Sequence, residues 1–226
     1  TSSGAASDDK VFTATFTPTA DLEDLSNVIT LANTGITDLA TNAGVGTTSS
    51  AEYEIDTLRP SATITIADKA LKVGETTTVT ISFDEAVTGF ANADLTVQNG
   101  TLSTVATTDG GRTYTGTLTP STSTDDTTNV ITLANTGYTD VAGNAGSGTT
   151  TSANYTVGTV APTVSSKISM DDTALKAGDT ATVTVVFSEA VSGLTVGDFD
   201  VANGTLSGLT TSNSITWTAT YTPTAD

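Results

Sequence analysis

The nine residues Asn27–Gly35, NVITLANTG, recur without a single change as Asn129–Gly137, which is a shift of 102 positions. A second pair of matching segments, Asn99–Ser103 and Asn203–Ser207, is related by 104 positions. The difference between the two shifts places a two-residue insertion after Pro162. A fixed period of this length is the signature of tandem repeats.

The two shifts also divide the chain. Residues 1–57 match the C-terminal part of a repeat, residues 58–159 form one complete repeat, and residues 160–226 match the N-terminal part of a third. We therefore expect one complete domain between two partial ones.

Within the complete repeat, apolar and hydroxyl side chains alternate. Val79, Ile81 and Phe83 are separated by threonine and serine, which is the period of a strand with one face on a core. Phe12 and Phe16 in the first repeat follow the same pattern, and we expect that face to be core as well. Turn residues break the sequence about every ten positions, which favours an all-β immunoglobulin-like sandwich. The expected strands are residues 61–66, 76–83, 94–98, 101–106, 112–119, 128–133 and 152–157.

Charge and composition exclude several functions. Seven basic against 25 acidic residues give a net charge of −18, which disfavours nucleic acid and anionic lipid as partners. The chain has no cysteine and no histidine, and hence no imidazole base or thiolate. No apolar stretch of about 18 residues is present, so we expect no membrane insertion. This composition is typical of an extracellular protein.

An enzyme with a pair of catalytic carboxylates needs no histidine, and glycoside hydrolysis is the example. Against it, the acidic residues here lie in loops of a repeated unit, and the 5% of aromatic residues lie mostly on inward-facing positions. We expect a protein that is not an enzyme.

The order of motifs in the complete repeat resembles a known family. Phe83–Val87, Ala93–Leu95, Tyr114–Pro120 and Asp140–Asn144 follow one another as in the bacterial Ig-like repeats of giant extracellular adhesins and surface fibre proteins. The resemblance implies tandem Ig-like domains in an elongated array at the bacterial cell surface, where repeats act as spacers and contact neighbouring repeats of the same chain. It identifies no receptor.

Acidic residues are expected to meet at one pole of the sandwich, because strands that alternate in direction bring every second loop to the same end. Their oxygens suit calcium, whereas transition metals prefer imidazole or thiolate. The alternative is that these side chains only form solvated turns. Asp56 is replaced by Gly158 at the second junction, so we expect a weaker site there. The candidate ligands are Asp56, Asp84, Glu85, Asp140 and Asn144, with Asp38, Asn42 and Glu189 at equivalent positions of the other repeats.

The two partial repeats leave two alternatives. The chain is a window of a longer rod, or the partial sandwiches of neighbouring copies complete each other in a self-assembling extracellular filament. Both partial repeats carry the strand that precedes Pro18 or Pro223, so joining them duplicates one strand.

Overall fold

The computed structural model describes residues 11–224, which form two compact units that divide between Thr159 and Val160. The expected repeat limits at residues 1 and 226 lie outside the described residues. The strands of the first unit are β1 (Glu23–Asn27), β2 (Thr30–Ala32), β3 (Thr47–Ser49), β4 (Tyr53–Asp56), β5 (Ala62–Ile66), β6 (Ala70–Lys72), β7 (Thr77–Phe83), β8 (Val87–Thr88), β9 (Leu95–Val97), β10 (Gly100–Leu102), β11 (Ala106–Thr107), β12 (Thr113–Pro120), β13 (Asp125–Asn129), β14 (Ile131–Ala134), β15 (Thr139–Asp140), β16 (Thr149–Thr151) and β17 (Tyr155–Gly158).

The second unit contains four strands: β18 (Ser169–Met170), β19 (Ala181–Val186), β20 (Gly204–Thr211) and β21 (Thr216–Pro223). Helical structure in the described residues is confined to 3₁₀ turns at Asn33–Gly35, Asn92–Asp94, Asn135–Gly137 and Val196–Asp198. Between residues 11 and 224, therefore, no helix has the length and apolar character needed to cross a membrane.

The complete repeat is a sandwich of two layers. One layer has the strand order β10–β12–β7–β5, with β11 also on β12. The other is formed by β13–β17–β6 and β16–β14–β9, in which β6 runs parallel to β17. Apolar side chains of both layers share a single core. The all-β tandem Ig-like fold is thus confirmed.

Strand β7 shows why this sequence makes a sandwich. Its residues alternate between buried and more exposed positions, and Val79 and Ile81 are fully buried while the intervening threonines point away from the core. Burying one such aliphatic side chain stabilises the fold by about 1.5–3 kcal/mol. The predicted alternation is confirmed here.

Each of the seven expected strands overlaps at least one observed strand, but the number and the limits of the strands differ. The expected strand 101–106 is split into β10 and β11, and 128–133 is divided between β13 and β14. Strand β6 and the short pair β8–β15 were not expected. These elements are two or three residues long and form because tertiary neighbours pair with them, which local periodicity does not indicate.

The partial repeat at the start of the chain leaves an apolar face open. Ile29, just before β2, and Leu31, within it, are 55% and 52% exposed, whereas the identical positions of the complete repeat, Ile131 and Leu133, are 0% exposed. The expectation that Phe12 and Phe16 face a core is wrong, since they are 79% and 53% exposed. No described strand pairs with residues 11–19, and although the Phe16 ring contacts Tyr53 edge-on, neither phenylalanine is enclosed in a core.

The second unit also has an open side. Its four strands form one sheet with the order β18–β19–β21–β20. Beside this sheet lies a groove of about 650 Å³, lined by Ile168, Met170, Leu175, Phe199 and Val201 among others. In the complete repeat, the equivalent space is filled by the second layer.

Candidate metal centre

Three carboxylates from separate elements meet at one pole of the complete repeat. Asp56 is the last residue of β4, Glu85 follows β7, and Asp140 ends β15. Pairing of β15 with β8 places Asp140 opposite Val87, two residues beyond Glu85. One oxygen of each carboxylate lies within 4.8 Å of an oxygen of the other two. Asp56 lies in β4, which pairs with β1 of the first partial repeat, and the other two lie in the complete repeat, so the cluster joins the two.

Asp140 is fixed by its own loop. The backbone N–H groups of Gly143 and Asn144 donate to its Oδ1 at 2.6 and 2.8 Å, and the Asn144 side chain donates to its Oδ2 at 2.7 Å. Gly143 has a φ of +99°, a conformation that glycine adopts without strain and other residues rarely do. Asp140 is 1% exposed, its Oδ1 already accepts two hydrogen bonds, and its Oδ2 keeps one lone pair for another partner.

The same loop holds the linker between the repeats. The Asn144 Nδ2 atom lies 3.3 Å from Oδ1 and 3.2 Å from the backbone oxygen of Asp56. One guanidinium nitrogen of Arg59 donates to the carbonyl of Ala145 at 2.7 Å. Sequence reasoning missed Arg59. The sequence does contain an indication of its role, because Arg59 is one of only seven basic residues and lies in an acidic junction.

The surroundings of Glu85 disfavour its negative charge. Burial raises the pKa of this carboxyl to about 7, and the charges of Asp140, Asp56, Asp84 and Glu23 add to the increase. The negative form of Glu85 is therefore disfavoured, and a cation among the three carboxylates would relieve both effects.

The remaining candidates lie elsewhere. Asp84 accepts hydrogen bonds from the backbone and hydroxyl of Ser61 at 2.8 and 2.7 Å, so it anchors the start of β5. Asp38 and Asn42 form the same loop as Asp140 and Asn144, and the Asn42 side chain lowers the pKa of Asp38. In the described part of the chain, neither this loop nor half-buried Glu189 belongs to a group of three possible ligands.

The donor set at the junction fits calcium in its chemistry. Three carboxylates supply hard oxygens, and calcium accepts six to eight of these in flexible geometry. Asn144 presents its amide nitrogen to the carboxylates, so it would need to turn its amide over to act as a ligand. Asp140 also plays the turn-forming role that was the alternative, since two backbone N–H groups bond to it.

Comparison with known proteins gives the family. Among solved structures, an adhesin of Escherichia coli, FdeC, is 15% identical over 91% of this chain and 78% of its own, with a TM-score of 0.38. A tandem segment of titin is 10% identical over 73% of this chain and 57% of its own, with a TM-score of 0.26. No curated protein matches the chain. Residues 1–55, 56–157 and 158–226 each match the family described as "Bacterial Ig-like domain", and the chain therefore belongs to the bacterial Ig-like domain family.

Proposed function

We propose that the chain is a structural spacer of an extracellular bacterial surface protein of the adhesin or fibre type, and that calcium stiffens its first junction. One observation carries the calcium proposal: Asp56 of one repeat lies within 4.8 Å of Glu85 and Asp140 of the next. Family membership supports the spacer role, because tandem sandwich domains serve as structural units.

The residues would act as follows. Asp56, Glu85 and Asp140 would hold the ion, which supplies positive charge where three negative charges converge. Asn144 of the second repeat already bonds to Asp56, and Arg59 of the linker already bonds to Ala145 of the second repeat. With the carboxylates neutralised, the linker has less freedom to swing and the two repeats move as one body.

Thermal unfolding in calcium and in chelator tests this proposal. At a calcium concentration 100 times the dissociation constant, binding adds about 2.7 kcal/mol of stability, which raises the Tm of a unit of this size by about 5–10 °C. Asp56→Asn should remove most of that increase. The proposal fails if the wild-type chain unfolds at the same temperature in both conditions.

A matched control lies in the first repeat. Asp38 occupies the position of Asp140 in the matching loop of the first repeat, in which Thr41 replaces Gly143, but it has no carboxylate cluster around it among residues 11–224. Asp38→Asn should leave the calcium increment unchanged. Equal losses in Asp38→Asn and Asp56→Asn would mean that the ion binds nonspecifically to acidic loops.

A second candidate function is a subunit of a self-assembling extracellular filament. Two open apolar surfaces favour it: the face of Ile29 and Leu31 in the first repeat, and the groove beside β18–β21 in the second unit. Static light scattering at increasing chain concentration tests it. A mass that stays at 22.7 kDa would rule it out.

A further inference from the structure

We propose a specific docking register in which residues 24–31 of one copy of the chain bind residues 199–203 of another copy. The arrangement is that of the complete repeat, where β14 pairs with β9 and side chains of β13 bond to Asn99. This inference rests on the second proposed function, self-assembly. It names the partner as a second copy and fixes which residues face each other.

The complete repeat provides the template. There, β14 lies between β16 and β9, with Ile131 opposite Val97, Thr132 opposite Thr96 and Leu133 opposite Leu95. Among the strands that the structure describes, β9 pairs with β14 alone. A segment equivalent to β9 should therefore lose its strand conformation when no equivalent of β14 is beside it.

Both halves of this pairing exist in the chain, and among the described residues neither has its partner beside it. Strand β2, which matches β14, pairs with β3 on one side and with no described strand on the other. Residues 199–201, which match β9, form no strand. Backbone groups on such edges are ready to bond another strand.

The repeat shifts then fix the register. We call the copy that supplies residues 24–31 the donor copy and the copy that supplies residues 199–203 the acceptor copy. The shift of 102 for the donor copy and of 104 for the acceptor copy places Ile29 opposite Val201 and Leu31 opposite Phe199. Ile29 and Leu31 are more than half exposed, while Val201 and Phe199 line the open groove. Docking would bury apolar side chains on both partners, as in the complete repeat.

A polar network supports the same register. In the complete repeat, Asn99 donates its amide to Asn129 Oδ1 at 2.7 Å and to Asp126 Oδ2 at 2.9 Å. The equivalent residues are Asn203 on the acceptor and Asn27 and Asp24 on the donor, an identical set.

Both sides of that network are already in position. Asn203 has a φ of +53°, close to the +46° of Asn99. Asn27 donates to the carbonyls of Asp24 and Tyr53 at 3.0 and 3.3 Å, as Asn129 does to Asp126 and Tyr155 at 3.1 Å each. Little reorganisation would be needed, and preorganised groups lose less entropy on binding.

Two local contacts must give way. The Tyr155 hydroxyl donates to the carbonyl of Gln98 in the complete repeat, but the equivalent carbonyl, that of Ala202, is occupied by the Tyr221 hydroxyl at 3.2 Å. On the donor, the Phe16 ring contacts Tyr53 at 5.5 Å between centroids. Phe16 lies outside any strand, so its segment can leave without breaking a sheet. Residues 11–19 therefore do not compete with β21 for the duplicated strand position.

Engineered disulfides test the register, because the chain contains no cysteine. Thr30 and Asp200 match the opposite pair Thr132 and Thr96, and both are exposed. Cα atoms of opposite residues lie about 4.5–5.5 Å apart, within the range that a disulfide bridges. A chain with Thr30→Cys is mixed with a chain with Asp200→Cys under mild oxidation, and the products are separated on a non-reducing gel.

We expect the mixed disulfide dimer to exceed, on the order of tenfold, the product of Thr30→Cys with Thr205→Cys, since docking raises the local thiol concentration only for the matched pair. Thr205 is also exposed, but its equivalent, Thr101, lies in the other layer of the complete repeat. Thr96→Cys with Thr132→Cys in one chain is the positive control and should close within the chain.

The outcomes separate the two ideas. If the chain assembles by light scattering but the matched pair does not exceed the Thr205→Cys control, the register is wrong and self-assembly stands. If the chain remains a monomer and the matched pair does not cross-link, both are overturned.

Discussion

At the scale of single residues, Glu85 makes the stability of the ion-free protein depend on pH. Its folded-state pKa of about 7 lies above the ordinary value of 4.5, because burial and neighbouring carboxylates disfavour its charge. The protonated form therefore contributes stability that is complete below pH 4.5 and is lost as the pH rises through 7. In chelator, the free energy of unfolding from urea titrations should fall between pH 5 and 8, by less than the roughly 3 kcal/mol of an unscreened shift because solvent reaches Glu85.

This pH window isolates Glu85 from the other shifted carboxyl groups. Hydrogen bonds lower the pKa of Asp38, Asp109, Asp171 and Asp198 below 3.8, so their contribution is lost only as the pH falls toward those values. Glu85→Gln should abolish the decrease between pH 5 and 8. A variant with the same slope as the wild-type chain would contradict the assignment to Glu85.

The members of the cluster could be predicted from sequence only in part. Alternating strand direction brings Asp56, Glu85 and Asp140 to one pole, and the repeat boundary places Asp56 at the junction. Asp84 has the same loop and charge as Glu85, but its side chain turns to Ser61 because two donors meet it there. Such a choice between adjacent carboxylates depends on side-chain direction, which charge and spacing do not indicate.

At the scale of elements, β6 tests how much a three-residue strand contributes. Leu71 is buried in the core between the two layers, at the point where β6 runs parallel to β17. Leu71→Ala should destabilise the first unit by about 2–5 kcal/mol, since it removes the side chain and leaves a cavity. Thermal and urea unfolding of the variant measure this loss.

Leu175, the equivalent residue of the second unit, is the matched control. It is half-buried at the edge of the open groove and lies outside any strand. Leu175→Ala should therefore cost clearly less than Leu71→Ala. Equal losses would mean that β6 contributes nothing beyond the leucine itself.

Long strands were predictable because their period is visible over many residues, as at Val79, Ile81 and Phe83. The short strand β6 was not, because Ala70, Leu71 and Lys72 show no period and precede a turn at Gly74. Its conformation is decided by β17, which lies more than 80 positions away in the sequence.

At the scale of the whole molecule, the two units have unequal cores. The first contains the shared core of the complete repeat, with fully buried side chains from both layers. In the second, the buried apolar side chains among residues 160–224 are Ala181, Val183, Val185 and Ala219, all from β19 and β21. A smaller buried apolar area gives a smaller stabilising free energy. The repeat pattern accounts for this inequality, because residues 160–226 match only the N-terminal part of a repeat.

We therefore expect two transitions in calorimetry of the chain at low concentration, with the second unit unfolding first. Calcium should raise only the later transition, since Asp56, Glu85 and Asp140 all lie in the first unit. Chain concentration should raise the earlier one if copies complete each other, because association stabilises the folded state by mass action. A single transition that responds to both variables would contradict the division into two independent units. An earlier transition that is independent of concentration would contradict self-assembly while leaving the calcium site intact.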